Sequence, residues 1–387
     1  MKEIPGAFSL LSLLQGFATS PALGAELSVT PRLDLTQEYN DNILFSETNK
    51  VKDNVTHITP ELHAAIASET YSITGGGFVR VWEYWEETDL DTVDRSADLS
   101  ITVKAAPRLD GRMSGSYLKD TTLESEIEAT GLVLSRTDRR RRGGGAGLSY
   151  SLDERTRVDF DFTHTDVDYD DPGLGDYTAN VFRLQVPHAT RDERGTTTVA
   201  FYLADYRFDP NEYEDYGVTL GYRYHFTEQW TIDLTGGARC TWSRIQTPGG
   251  SMEEKDWGGL ANIALTWHSE KDSMTTGYVR GLTPSGRGEP IDTNRVYITA
   301  LHHFSERVTG AVTSDYFYNT SEGEYTNVKE KFFRVRPSLS AWLLDNIQAH
   351  LAYEHARSRD DLANTDADRD RIYLTISGTW PRKYHSP

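Results

Sequence analysis

The sequence predicts an all-β protein: a transmembrane antiparallel β-barrel of about 18 strands (16–18), with short turns at one end and long loops at the other. Three observations predict it. From residue 27 onward apolar and polar residues alternate with a period of two, as a strand between two unlike environments requires. The gaps between alternating runs go long, short, long, short. Beyond the N-terminus no apolar run reaches the length of a spanning helix. A chain that crosses a bilayer by strands has to close on itself, because an open edge leaves backbone N–H and C=O groups in hydrocarbon.

The N-terminal "MKEIPGAFSLLSLLQGFATSPALGAELS" pairs Lys2 with an apolar stretch over 7–18 and small residues up to Ala22 and Ala25. That pattern predicts a secretory signal over 1–25, too short to span, and a single barrel domain over 26–387. The expected strands are 27–40, 54–67, 71–84, 95–106, 111–119, 137–152, 156–168, 177–188 and 196–208 in the first half. In the second half they are 216–226, 230–242, 256–268, 273–282, 292–304, 307–318, 328–343, 346–357 and 370–380. The run 230–242 sets Trp230, Ile232, Leu234, Ala238 and Cys240 against Thr231, Asp233, Thr235 and Arg239. The run 346–357 sets Ile347, Ala349, Leu351 and Tyr353 against Gln348, His350 and Glu354. Such lengths suit the roughly 9–11 tilted residues that cross a bilayer.

Short turns are expected at "SET" 68–70, "DERT" 153–156, "TEQ" 227–229, "SEKD" 269–272 and "LDN" 344–346. The longer segments between them include "NDNILFSETNKVKD", "KDTTLESEIEATGLVLSR", "SRIQTPGGSMEEK" and "RSRDDLANTDAD". This asymmetry predicts periplasmic turns, extracellular loops, both termini in the periplasm, and the outer membrane of a Gram-negative-type cell. Trp82, Tyr84, Trp85, Trp230, Trp242, Trp267 and Trp380 fall near strand ends and are expected to form interfacial girdles.

The formal charge is −19, with 59 Asp+Glu against 40 Lys+Arg, which argues against nucleic acid as a partner. The four arginines of "TDRRRRGGGAGLSYSL" need another reading. Counted back from Leu152, Tyr150, Leu148, Ala146 and Gly144 share the lipid face with Arg142 and Arg140. Ten tilted residues climb about 23 Å, which brings Arg140 and Arg142 to the level of lipopolysaccharide phosphates. Arg139 and Arg141 then face the mouth of the lumen.

No cofactor, metal or catalytic constellation is expected. The lone Cys240 permits no disulfide and no thiolate metal site, and there is no CxxCH for haem. Asp366-x-Asp368-x-Asp370 has Arg371 where a calcium loop needs Gly, so it reads as an ordinary acidic loop. The polar faces carry Arg183, Arg223, Arg239, Arg295, Arg334, Arg336 and Arg371 with Asp159, Asp161 and Asp233. Inward charges of both signs need water or one another, so the lumen is expected to be wet or braced by ion pairs. Strands in this number enclose an aqueous channel unless something fills it, and a long loop such as 119–136 is a candidate constriction.

The opening "LSVTPRLDLTQEYNDNILFSETNKVKDNVTHITPEL" resembles that of the β-barrel porin 2 family, which includes the EpsL-like barrels of exopolysaccharide and exosortase systems. The likeness in architecture covers the whole chain, and that in sequence roughly the first 65 residues, through "TPRLDLTQEYNDNILFS" and "DNVTHITPEL". The resemblance implies an outer-membrane pore for secreted polysaccharide, working with periplasmic export components, and offers no catalytic residues. Competing readings are a general diffusion porin, a shell for an electron-transfer partner and, last, an outer-membrane enzyme.

Overall fold

A computed structural model describes residues 25–247, 250–322 and 327–385; apart from Ala25, the expected signal segment lies outside the described residues. The chain is a closed antiparallel barrel, with 77% of the described residues in strands. Its wall begins with β1 (Glu26–Asn40), β2 (Asp53–Ala67), β3 (Tyr71–Tyr84), β4 (Thr92–Ala106), β5 (Leu109–Thr121) and β6 (Asp138–Ser151). It continues through β7 (Arg157–Tyr169), β8 (Tyr177–Ala189), β9 (Gly195–Phe208), β10 (Asn211–His225), β11 (Trp230–Thr247) and β12 (Gly250–His268). The circuit ends with β13 (Asp272–Ser285), β14 (Glu289–His303), β15 (Val308–Glu322), β16 (Asn327–Leu344), β17 (Ile347–Asp360) and β18 (Thr365–Thr379). Each expected strand is present. Between β5 and β6 sits one short helix, α1 (Thr122–Ala129), which period-two patterning did not predict.

Closure is made by β1, which pairs with β2 on one side and β18 on the other, from Arg32↔Thr379 to Asn40↔Arg371. Beyond Trp380 and Pro381 the chain resumes as β19 (Arg382–His385) and continues the same seam against Glu26–Val29. The wall therefore has eighteen positions, the last shared by β18 and β19.

Outward positions carry the apolar face. Leu33 and Leu35 on β1, Leu148 and Tyr150 on β6, Val218 and Leu220 on β10, Leu234 on β11, and Leu374 and Ile376 on β18 are all exposed. Trp230 and Trp267 face each other across β11 and β12, with ring centroids 6.1 Å apart, and Trp242 and Trp257 lie exposed toward the other end of the same hairpin. Trp82 departs from the expected girdle. Its indole N–H donates to Asp94 at 2.6 Å and its ring lies 3.8 Å from that of His57, both buried lumen residues. The Arg136 guanidinium stacks over Tyr84, which also looks inward. On β3 the alternate positions, including Val79 and Val81, take the outer face instead.

Several of the expected long loops are largely strand, while 40–53 and 119–136 are not. "SRIQTPGGSMEEK" zips into the β11–β12 hairpin as far as Thr247↔Gly250, and "RSRDDLANTDAD" into β17–β18 as far as Asp360↔Thr365. Above a membrane both faces of a hairpin meet water, so polar residues on both sides do not prevent strand pairing. Asp366, Asp368 and Asp370 thus lie on a strand, where they pair with Arg357, Lys50 and His355.

One seam is incomplete. β12 pairs with β13 only from Ala261↔Arg280 to His268↔Ser273, although β11–β12 and β13–β14 pair along their lengths. The upper β13–β14 hairpin leaves the wall there and bends inward. Its Leu282 packs on the cluster of Ala179, Ala204, Tyr206, Phe208 and Tyr213, and its Ile291 on Leu132, Leu134 and Val328.

Candidate functional site

The barrel's buried apolar residues lie inside its loop-bearing end, where the β5–β6 loop crosses the lumen. At the foot of this loop the Thr122 amide donates to the Thr137 carbonyl at 2.9 Å and the Thr122 hydroxyl to the Ser135 carbonyl at 2.6 Å. Leu123 and Ile127, one helical turn apart, share a face of α1 and bury themselves against Phe45, Phe317, Phe332, Ala356 and Ala367. Gly131 ends the helix with φ +73°, and its amide donates to the carbonyls of Glu126 and Ile127. A Cβ at Gly131 would lie 2.5 Å from the Phe317 ring, so glycine is needed both for the backbone conformation and for the space. From there Leu132 and Leu134 run on to Ile291. The Asn319 amide donates to the Thr130 carbonyl at 2.7 Å, tying the far end of the helix to β15.

The inward hairpin meets the β5–β6 loop at Ile291, beside Leu132 and Leu134, and meets the β7–β8 loop at Gly175. The Gly175 amide donates to the Gly286 carbonyl at 2.9 Å, and a Cβ on Gly175 would lie 2.3 Å from the Cα of Gly288. Arg287 reaches Glu330 on β16. Loop and hairpin together stopper the lumen from its loop-bearing end.

Charges hold the helix to both sides of the wall. Arg139 on β6, buried, donates to Glu126 at 2.9 Å and to Asp120 at 2.9 and 3.0 Å, and Tyr169 donates to Glu126 at 2.8 Å. On the opposite wall Arg369 donates to Glu124 at 2.6 Å, and Arg371 lies 3.0 Å from the same carboxylate. Glu128 lies 3.6 Å from Arg334 and 3.9 Å from Arg336. Burial alone would raise the Glu124 pKa, but Arg369 and Arg371 hold it down at about 2.

Behind the helix, β16 and β18 carry a ladder of guanidiniums around Glu354 of β17, extended by Arg295 of β14 and Asp315 of β15. Glu354, fully buried, accepts from Arg336, Arg369 and Arg371. Asp315 accepts from Arg295 and from Arg334, the latter at 3.0 Å. Arg371 also lies 3.8 Å from Glu38. Nε of Arg369 and Nη1 of Arg334 are buried and donate to no hydrogen-bond partner among the described residues.

The lumen residues picked out by alternation fall into three groups. Arg295, Arg334, Arg336 and Arg371 belong to the ladder. Arg239 is buried higher up against Asp215 and Asp292, where it ties the inward hairpin to the wall. Below the stopper stand the pair Arg223–Asp233 at 2.5 Å, Asp161 with Arg112 at 2.6 Å, Asp159 with Arg157 at 2.8 Å, and Arg183. Arg183 stands in register with Asp161, which is taken by Arg112, and has no acid within ion-pair distance among the described residues. Arg140 and Arg142 lie exposed on the outer face, 3.2 Å from Asp170 and 3.5 Å from Asp166 and Asp168. Alternation missed Glu124, Glu126, Glu128 and Arg369. The signal was present in "TLESEIEATG", where Leu123 and Ile127 stand four residues apart ahead of a helix-ending glycine.

No family model matches the chain, and no curated protein does. Solved structures do match in fold. The Pseudomonas aeruginosa barrel OccK9 (OpdG) aligns with a TM-score of 0.50 at 12% identity, over 92% of this chain and 98% of its own. Acinetobacter baumannii OccAB3 aligns with a TM-score of 0.50 at 9% identity, over 92% of this chain and 99% of its own. The FauA receptor of Bordetella pertussis is matched over 94% of this chain and 77% of its own, at 10% identity and a TM-score of 0.46. At such identities the likeness is one of fold, and the fold is that of Gram-negative outer-membrane β-barrels.

Proposed function

We propose that this barrel is an outer-membrane conduit for secreted polysaccharide, closed at rest by its own β5–β6 loop. The observation that carries the reading is that the lumen is filled by a loop and a hairpin, with wall charges left facing the space they occupy. A filler attached at its two ends can withdraw; a lumen sealed by wall side chains cannot. Below it, Arg183, Arg223 and Asp233 stand among Thr and Tyr on the water-facing wall, a surface suited to sugar hydroxyls. The resemblance of the first strands to the EpsL-like barrels supports the same substrate class and a periplasmic export partner.

The short turns and both termini are assigned to the periplasm and the hairpin tips to the outside. Arg140 and Arg142 are assigned to lipopolysaccharide phosphates, which they would meet in competition with Asp166, Asp168 and Asp170 beside them. No enzymatic role is proposed. Cells lacking the protein should retain polysaccharide in the periplasm, and the intact gene should restore it to the surface. Normal surface polysaccharide in those cells would overturn the reading.

A further inference from the structure

We infer that the guanidinium ladder behind α1 is a binding site for carboxylate-bearing sugar chains, and that Glu124 and Glu128 occupy it as stand-ins while the stopper is closed. This deepens the conduit reading and rests on it for its transport meaning, but the site itself is argued from charge and geometry.

Five arginines converge here: Arg295, Arg334, Arg336, Arg369 and Arg371. The wall supplies three acids to meet them, Asp315, Glu354 and Glu38. The remaining two positive charges face Glu124 and Glu128, which come from the helix and not from the wall. Withdrawal of the helix therefore leaves a wall carrying two uncompensated guanidiniums. In the opened lumen these forked guanidiniums attract carboxylates in place of the two that have left. Neutral sugars cannot supply them.

The geometry favours carboxylates spaced along a chain over a single small anion. Glu124 and Glu128 are four residues apart on one helix face, about one turn or 6 Å of rise. The two arginine pairs that receive them, Arg369 with Arg371 and Arg334 with Arg336, sit on different strands with β17 between them. Forked guanidiniums bind planar carboxylates through parallel hydrogen bonds. The buried Nε of Arg369 and Nη1 of Arg334, without hydrogen-bond partners in the closed state, are donors that a ligand better shaped than the two glutamates would satisfy.

The test measures binding in detergent and current in planar bilayers. The probes are oligogalacturonate, with a carboxylate on each sugar, and a maltooligosaccharide of equal length. Glu124→Gln with Glu128→Gln should bind oligogalacturonate about tenfold tighter than the wild type, because the stand-ins no longer compete. Adding Arg334→Gln and Arg336→Gln should abolish that gain, and the neutral oligomer should not distinguish the variants. Heat-modifiable migration on gels checks assembly. Replacing 122–134 by a Gly/Ser linker gives a second protein without stand-ins should the glutamine variants fail to assemble. Equal affinity for the two oligomers, or no gain on removing the glutamates, would overturn the inference whatever the current. Tight oligogalacturonate binding by a protein that never conducts would leave the site standing and sink the conduit.

Discussion

At Glu124 two guanidiniums meet one carboxylate that the chain has carried into the lumen, and a loop that closes the barrel through this pairing should respond to pH. Its pKa in the closed state is about 2, below the ordinary 4.5, because Arg369 and Arg371 outweigh its burial. A depressed carboxylate pKa stabilises the docked helix fully above the ordinary value and loses that stabilisation as pH falls toward the docked value. Current through the wild type should therefore be flat from pH 7 to about 5 and rise as pH falls below about 4. A third of the Glu124 side chain still meets water, so Glu124→Gln should cost the docked state only roughly 1–3 kcal/mol. It should also remove the rise, since nothing is then left at that position to titrate. A rise that persists in the variant would place the response elsewhere. The lipid face answers to a different substitution. Leu234 is exposed on the outer face, and Leu234→Arg should cost roughly 2–4 kcal/mol if it sits near the bilayer midplane. Its neighbour Asp233 pairs with Arg223 in lumen water, and Asp233→Asn should cost less than about 1 kcal/mol. Urea unfolding in liposomes would check both, and the reverse order would mean that β11 is assigned to the wrong phase.

Among the elements, the β5–β6 loop is the one whose conformation depends on a single backbone position. Gly131 adopts φ +73° with Phe317 packed where a Cβ would go. Gly131→Ala should raise the energy of the docked loop by about 1–3 kcal/mol, since the added methyl pushes the loop off Phe317. Hydrogen exchange should then quicken across 122–134 while β5 and β6 keep their protection; loss of protection in the strands as well would show that the loop is part of the barrel's own stability. This division explains what was legible in the sequence. The wall strands were readable because lipid on one side and lumen on the other force the period of two, as 230–242 displays. The hairpin extensions beyond the membrane, such as 243–255, were read as loops because water on both sides removes that period. Trp82 was misplaced because an aromatic near a strand end fits either a girdle or a lumen, and only Asp94 and His57 decide between them. Helix α1 was missed because eight residues present barely two turns of its period. The ladder arginines were on the predicted face, but their partners Glu124 and Glu128 come from a loop whose destination no local pattern encodes.

Taken whole, the molecule separates two tasks. An eighteen-position wall supplies closure and stability through its hydrogen-bonded ladder, and the space inside is filled by segments that enter from the loop-bearing end. The weakest stretch of that wall is where β12 and β13 part above Ala261 and Arg280, because the upper β13–β14 hairpin has been drawn inward. The stopper and the open seam are thus one arrangement: the hairpin that helps fill the lumen is the one missing from the wall. If closure depends on the β5–β6 loop, its removal should open a path that the remaining hairpin cannot block alone. The direct measurement is single-channel current in planar bilayers for the wild type and for the protein with 122–134 replaced by a short Gly/Ser linker. Closure by the loop predicts a small or rare current in the wild type and a steady one, larger by about tenfold or more, in the linker protein. Equal currents from two correctly assembled barrels would contradict it.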